Sequence, residues 1–332
     1  MARPVPAGRL SSPVVRPTAD PQAGPVMLVD AAGLYFRAFY GVPESITAPD
    51  GRPINAVRGF LDMTATLIGR RRPTRYVACL DLDWRPAFRV ELVPSYKAHR
   101  VAVGGGEDVP ELLVPQVPIL LEVLAALGLA AVGSPGFEAD DVIATLAHAE
   151  RHAAEVVTGD RDLMALASDT VRVLYVGRGV AKLEDLGPLE VEQRYGVPAG
   201  WYPDLAALRG DPSDGLPGVA GIGAKTAAAL VNRFGSIESI LAAAERGDEG
   251  FPTGAQRRVV QAREYLLAAI AVVRGRIDLP LELAELDCCL PEQPRDPGRL
   301  VALADEYGID RSVNRVLQAI AQARGSAGSA SR

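Results

Sequence analysis

Val26-Met27-Leu28-Val29-Asp30, followed by Ala31-Ala32-Gly33-Leu34-Tyr35-Phe36-Arg37-Ala38-Phe39-Tyr40, decides the fold. Four consecutive apolar residues with no polar alternation suit a strand covered on both faces, as in a parallel sheet. Residues 31–40 then read as a short helix, so Asp30 stands where strand gives way to helix. In an open α/β sheet that position faces the crevice at the carboxyl ends of the strands, where ligands bind.

The same arrangement recurs along the chain. Asp81 closes Tyr76-Val77-Ala78-Cys79-Leu80, and Asp160 and Asp162 follow Val156-Val157-Thr158-Gly159. Glu138, Asp140 and Asp141 form E-A-D-D, and Asp211 and Asp214 stand in G-D-P-S-D-G. A lone aspartate after a strand is commonly a turn former or helix cap. Carboxylates at a helix start also favour the dipole. The conjunction is more specific than any member: nine carboxylates converging on one crevice repel unless cations neutralise them. Hard oxygen donors suit Mg²⁺ or Mn²⁺, and the pattern reads as a two-metal phosphodiester site. Helical geometry turns Asp140 and Asp141 about 100° apart, facing different metals or shells.

Between these acids, strands are expected at 26–30, 75–81, 130–132, 155–158 and 171–176. Helices are expected at 31–40, from Ile54 to about Arg71, at 110–127 with a break or kink from Pro115 and Pro118, and from Glu138 to His152. Strands alternating with helices indicate an α/β fold with a mostly parallel sheet flanked by helices. After about Pro188 the pattern becomes helical: 188–195, 202–209, 224–234, 237–245 with Ser236 as N-cap, then around 254–272 and near 297–323.

Composition sets limits. The 332 residues, 48% of them hydrophobic with a mean hydropathy of +0.11, allow a sizeable core. No apolar run is long enough to span a bilayer, so no membrane partner is expected. Met1 to about Gly24, rich in Pro, Ala and Arg, lacks the apolar core of a secretory signal and reads as a disordered tail. A transit peptide is the alternative, since Arg3, Arg9 and Arg16 come with one acid, Asp20. The end after Gln322 is expected to fray. Three cysteines are too few for a disulfide framework, with Cys79 in the core and the adjacent Cys288 and Cys289 not expected to bridge to each other, and a reducing cytoplasm is the simplest compartment. The net charge of −6 and pI near 5.3 argue against non-specific nucleic-acid binding, but the charge is unevenly distributed.

Arg85, Phe88-Arg89, Tyr96-Lys97 and His99-Arg100 form a basic segment beside the acids, broken off by Gly104-Gly105-Gly106. A charged run is usually a solvated face, but Arg and Lys also hold phosphates while interleaved aromatics stack on bases. Gly218-Val219-Ala220-Gly221-Ile222-Gly223-Ala224-Lys225-Thr226 is not a nucleotide loop, because Ala224 precedes the lysine. Gly-Ile-Gly between short helices resembles a helix-hairpin-helix, where N–H groups at a helix start hold a DNA phosphate; a plain helix–turn–helix connection is the alternative. His148 and His152 are read as surface or packing residues.

Together these motifs resemble the bacterial and phage 5′–3′ exonucleases and flap endonucleases, which occur alone and as the N-terminal domain of some DNA polymerases. The similarity runs from about Val26 to about Leu283. It is carried by L-V-D-A-A-G-L-Y-F-R-A-F-Y (28–40), N-A-V-R-G-F-L (55–61), F-R-V-E-L-V-P-S-Y-K-A-H-R (88–100), F-E-A-D-D-V-I-A (137–144), T-G-D-R-D-L (158–163) and G-D-P-S-D-G-L-P-G-V-A-G-I-G-A-K-T-A (210–227).

The resemblance implies a PIN-like catalytic domain over 25–187 with a helical arch at about 85–127. A helix-hairpin-helix region would cover 188–290 and C-terminal helices 291–332. It implies a first metal site among Asp30, Asp81, Glu138, Asp140 and Asp141, and a second among Asp160, Asp162, Asp211 and Asp214. Lys97 and Arg100 match arch residues that engage the scissile phosphate, so they count as catalytic with Asp30, Asp81 and Asp141. Arg37 and Arg89 match basic DNA-contacting positions, and Tyr96 an aromatic that stacks near the scissile nucleotide. Gly221, Gly223 and Lys225 match the DNA-binding hairpin, whose carbonyls hold K⁺ in relatives. Expected partners are duplex DNA with a 5′ flap or 5′ end, RNA–DNA primer junctions and a DNA polymerase, in replication and repair. With no polymerase domain following, the chain reads as a standalone form. The family commonly has Asn where Gly215 stands, and Gly104-Gly105-Gly106 lengthens the arch. A scaffold that binds DNA junctions without cutting and a PIN-type ribonuclease are the alternatives. Retention of all nine acids argues against the first, and the hairpin against the second.

Overall fold

The computed structural model describes residues 24–150, 152–281 and 286–329. The tail expectation over 1–24 therefore falls, but for Gly24, outside the described residues. Strands β1 (Val26–Asp30), β2 (Arg75–Leu80), β3 (Ala130–Gly133), β4 (Ala154–Thr158), β5 (Val171–Tyr175) and β6 (Glu184–Leu186) form one sheet in the order β3-β2-β1-β4-β5-β6. All neighbours are parallel except β5 and β6. The three residues of β6 carry too little pattern to be read from sequence.

Helices α1 (Ala31–Gly41), α2 (Asn55–Arg71), α3 (Ala87–Leu92), α4 (Gln116–Leu127) and α5 (Ala139–Ala149) belong to the sheet-bearing part. They are followed by α6 (Pro188–Tyr195), α7 (Tyr202–Arg209), α8 (Ala224–Phe234), α9 (Ile237–Arg246), α10 (Ala255–Gln261) and α11 (Arg263–Val273). Helices α12 (Pro297–Tyr307) and α13 (Asp310–Ser329) complete the order. Ser236 caps α9 through its hydroxyl, which accepts from Ser239 N at 3.3 Å.

The boundaries differ from expectation in several places. The helix expected over 110–127 begins only at Gln116, with Pro115 as its N-cap and Pro118 in its first turn. First-turn N–H groups have no helical partner, so these prolines start the helix rather than kink it. Helix α5 ends at Ala149, so His152 does not share a helix face with His148. The run near 297–323 is cut at Gly308, whose left-handed φ of 63° ends α12. Beyond Gln322, where fraying was expected, α13 continues to Ser329, with Ala323 buried in the core.

The period of two along β1 sorts its side chains. Met27 and Val29 face a core with α2, α4, α12 and α13, whereas Val26 and Leu28 face α5. Cys79 is buried on the α5 side, as expected. A separate core unites α7, α8, α9 and α11 and takes in Tyr96 and Val173. The chain leaves β1 toward β2 and β3, then returns to place β4 on its other side. That reversal opens a crevice beyond the carboxyl ends of β1 and β4. No described helix is long and apolar enough to cross a membrane.

Candidate functional site

Asp30 is both the last residue of β1 and the N-cap of α1. Its carboxylate accepts from Gly33 N at 2.7 Å and from the Thr158 hydroxyl at 3.1 Å. A Cβ on Gly33 would lie 2.2 Å from Asp30 Oδ2, so the carboxylate folds back only because residue 33 has no side chain. Burial, with the neighbouring Asp81 charge adding to it, pushes the Asp30 carboxyl up to about 7. Asp81, one residue beyond β2, accepts from Ala139 N at 2.6 Å and is also raised by burial. The start of α5 thus sits directly against the end of β2.

Glu138 caps that start, and burial pushes it up to about 7 although Lys97 and Arg89 pull the other way. Asp140 is held well above the carboxylate range by burial and by Asp160, Asp30 and Glu138. Asp160 Oδ1 accepts from Asp162 N at 2.9 Å in a tight turn after β4. Asp162 is likewise well raised by burial and by Asp160, Asp214 and Asp211, and its Oδ1 is buried without a hydrogen-bond partner. Asp211 and Asp214 arrive on a loop of the helical part, closed by paired backbone bonds between Asp211 and Leu216 of 2.9 Å each. Burial raises Asp214 as well. A cavity of about 240 Å³ has Glu138, Asp140, Asp162 and Asp214 in its wall. Acids from three strand ends, one helix start and a distant loop are thereby brought together.

The arch supplies the cations. Lys97 Nζ donates to Glu138 at 2.9 Å, and Arg100 Nη2 to Asp214 at 3.2 Å. Burial opposes the Lys97 charge, but Glu138, Asp214 and Asp140 hold its ammonium above the ordinary value. The expected helical arch is instead α3, a short 3₁₀ turn (Ala98–Arg100), a small hairpin pairing Val101 with Glu107, and α4. The hairpin turns at Gly104-Gly105-Gly106.

Three residues depart from their expected roles. Arg89 is not open to DNA: its guanidinium is buried, making two 2.7 Å bonds to Asp141 and one of 3.0 Å to the Val272 carbonyl. A buried guanidinium needs such fork-shaped pairing. Asp141 is fully buried by the same bonds and also accepts from Arg276 N at 2.9 Å, so it anchors the arch rather than facing the acids. The splay from Asp140 read in the sequence holds, with this consequence. Tyr96 is buried too, its hydroxyl donating to both Glu138 oxygens at 3.0 and 2.9 Å, so its ring is not free to stack on a base.

Two residues escaped the sequence reading. Glu107, half-buried, is raised by burial and by the Asp81 charge, which puts an arch acid beside the cluster. Tyr35 on α1 is raised by burial and by Asp81, Glu107 and Asp30. Neither ends an apolar run nor stands in a motif such as E-A-D-D or G-D-P-S-D-G, the local signals that mark the others. Arg37 lies beside Gly159 with its Nε buried and unpartnered. Gly221 forms the hairpin turn at φ 76°, Gly223 caps α8 and Lys225 is exposed in its first turn. The Gly221 carbonyl accepts from Arg258 Nη1 at 3.1 Å, so this carbonyl already has a cationic partner where K⁺ was expected.

Among the described residues, no three or more His, Cys, Asp or Glu side chains are closed around one point as a finished chelate. The donor set nevertheless fits a hard divalent cation. It is all oxygen, the carboxylates raise one another, and Asp162 Oδ1 is a buried acceptor with nothing to accept.

The family model described as "5′-3′ exonuclease, N-terminal resolvase-like domain" matches residues 25–196, and "5′-3′ exonuclease, C-terminal SAM fold" matches 197–296. A 5′-3′ exonuclease of Mycobacterium tuberculosis is 50% identical over 310 residues, covering 89% of this chain and 98% of that protein. DNA polymerase I of Mycobacterium bovis is 38% identical over 317 residues, covering 93% of this chain but 33% of the polymerase. The fold is similar to that of the bacteriophage T5 flap endonuclease, solved as a pseudo-enzyme-product complex with DNA and metal ions. There the TM-score is 0.57 at 19% identity, over 89% of this chain and 98% of the phage protein.

Proposed function

The chain belongs to the 5′–3′ exonuclease family of hydrolases, and from that premise we propose that it cuts DNA phosphodiesters at 5′ ends and 5′ flaps, RNA-primed junctions included, with divalent cations, Mg²⁺ or Mn²⁺, at two sites. The observation that carries this reading is the gathering of Asp30, Asp81, Asp140, Asp160, Asp162 and Asp214 beyond the carboxyl ends of β1, β2 and β4, with Lys97 and Arg100 beside them. The DNA and metal ions of the phage neighbour support it.

Asp30, Asp81, Glu138 and Asp140 would hold one cation, and Asp160, Asp162, Asp211 and Asp214 the other. Cations bound there supply charge neutralisation at the phosphate and a more acidic water. Lys97 and Arg100 contribute donors where negative charge grows on the phosphate oxygens, a role their present carboxylate partners keep poised. Asp30 is held in place by Gly33 N and Thr158, so its carboxylate needs no reorganisation. Gly223, Lys225 and the start of α8 hold duplex phosphates without reading sequence. Residues 25–187 then carry most of the catalytic groups, and 188–290 grip DNA and supply Asp211 and Asp214, while α12 and α13 brace the sheet through α2.

The test is a 5′-flap DNA labelled at both ends, with Mg²⁺ or EDTA, for wild type and Asp30→Asn. Mg²⁺-dependent cutting at the junction, lost in the variant while duplex binding persists, is the expected result. Tight binding with no cutting under Mg²⁺ or Mn²⁺ would overturn it in favour of the scaffold.

A further inference from the structure

We infer that Gly215 is a positioning residue: its missing side chain lets the base of the arch seat on the Asp211–Leu216 loop, delivering Lys97 and Arg100 to the acids before substrate arrives. The inference rests on the nuclease reading above and concerns how this chain readies that site.

Three successive carbonyls of the loop are bound from the arch in reverse order. Ser213 O accepts from Arg100 Nη2 at 2.8 Å, Asp214 O from Lys97 N at 3.0 Å, and Gly215 O from the Ser95 hydroxyl at 2.7 Å. The loop therefore does two things at once: it carries Asp214 to the site and clamps the segment that carries the cations. Gly215 lies at the point of closest approach. A Cβ there would stand 2.0 Å from the Ser95 carbonyl oxygen, 3.0 Å from its carbon and 3.3 Å from Lys97 N. The obstacle is backbone and cannot rotate away.

The φ of 71° at Gly215 is a separate matter, because Asn tolerates a left-handed conformation. Asn, the residue the resemblance leads one to expect, would fit the backbone angle and still strike Ser95. Any side chain at 215 forces Ser95–Lys97 outward by about 1 Å, a displacement that costs on the order of 100-fold when it misplaces a catalytic group. Lys97 itself has a left-handed φ of 46°, unusual for a residue with a side chain. Its N–H bond to Asp214 O holds that conformation, which sends Nζ to Glu138. Without the seat, Lys97 is free to relax to an ordinary conformation and withdraw its ammonium.

The experiment compares wild type, Gly215→Asn and Ser95→Ala in two assays. Trypsin digestion of DNA-free protein reads the seat directly, at the bonds after Lys97 and Arg100. Cutting there is expected to be at least tenfold faster in Gly215→Asn than in wild type and modestly faster in Ser95→Ala. Single-turnover cleavage at saturating 5′-flap DNA is expected to fall about 10–100-fold in Gly215→Asn, with duplex affinity within about twofold. Wild-type digestion rates in both variants overturn the inference, as does a wild-type cleavage rate in Gly215→Asn. Should Gly215→Asn fail to fold, Ser95→Ala carries the test through the same two readings. A wild type that does not cut at all overturns the nuclease reading instead, and the digestion result still decides the seat.

Discussion

Arg89 and Asp141 are joined by two parallel hydrogen bonds of 2.7 Å, and the same guanidinium donates to the Val272 carbonyl at the end of α11. One buried ion pair thus ties the arch, the acid-bearing helix α5 and the helical part into one unit. Removing one partner of such a pair leaves the other charge buried and uncompensated. Arg89→Ala is expected to lower unfolding free energy by about 3–5 kcal/mol. Urea denaturation checks it, and a change below about 1 kcal/mol would mean the pair is not structural.

Gly33→Ala places a methyl group 2.2 Å from Asp30 Oδ2. The helix itself gains from alanine, by about 0.5–1 kcal/mol relative to glycine. The expected outcome is a protein that stays folded but cleaves flap DNA at least about tenfold more slowly, because the Asp30 carboxylate is displaced. Thermal melting and single-turnover rates measured together separate the two effects.

Lys97→Gly removes the ammonium yet suits the left-handed backbone at 97. Cleavage is expected to fall about 10²–10³-fold, the usual cost of losing one donor to developing charge. Duplex affinity should change little. An equal loss in both would make Lys97 a binding residue.

Asp30 and Glu138 are raised from ordinary carboxylate values to about 7 in the folded protein. The folded state therefore binds more protons than the unfolded state between those values. Their contribution to stability is fully present below about pH 4 and is lost as pH rises through about 7. With EDTA present, the melting temperature is expected to fall between about pH 5 and pH 8, and Mg²⁺ should restore it most at the upper end. Melting curves without that pH slope would count against the burial that raises these two carboxyls.

Lys225 is exposed in the first turn of α8, beside the hairpin glycines. Lys225→Ala should weaken duplex binding alike for all sequences and reduce the slope of log affinity against log salt by about 1. Fluorescence anisotropy across a salt series measures it, and an unchanged slope would remove Lys225 from the phosphate contacts.

Much of the site was legible in local pattern. Asp30, Asp81 and Asp160 were found because a buried strand is an apolar run and its end is abrupt. Glu138 and Asp140 were found because a helix start tolerates clustered acids. Arg89 and Tyr96 were read as DNA contacts because basic and aromatic residues near acids look alike whether they face solvent or the core. Burial decides between those roles, and burial is set by distant chain: Val272 for Arg89 and Glu138 for Tyr96.

By itself, the sequence determined the acids that close β1 and follow β4, the acid cluster at the start of α5 and the change from α/β to helical character, since each depends on residues within a few positions of one another. Tertiary structure alone decided that Asp141 turns inward to Arg89, that Glu107 lies near the acids, that α13 packs against α2, and that Gly215 touches Ser95. The Ser95–Gly215 pairing alone spans 120 positions. No periodicity encodes such a meeting, because it arises only when separate elements bury their apolar faces against each other and bring their polar groups into hydrogen-bonding range.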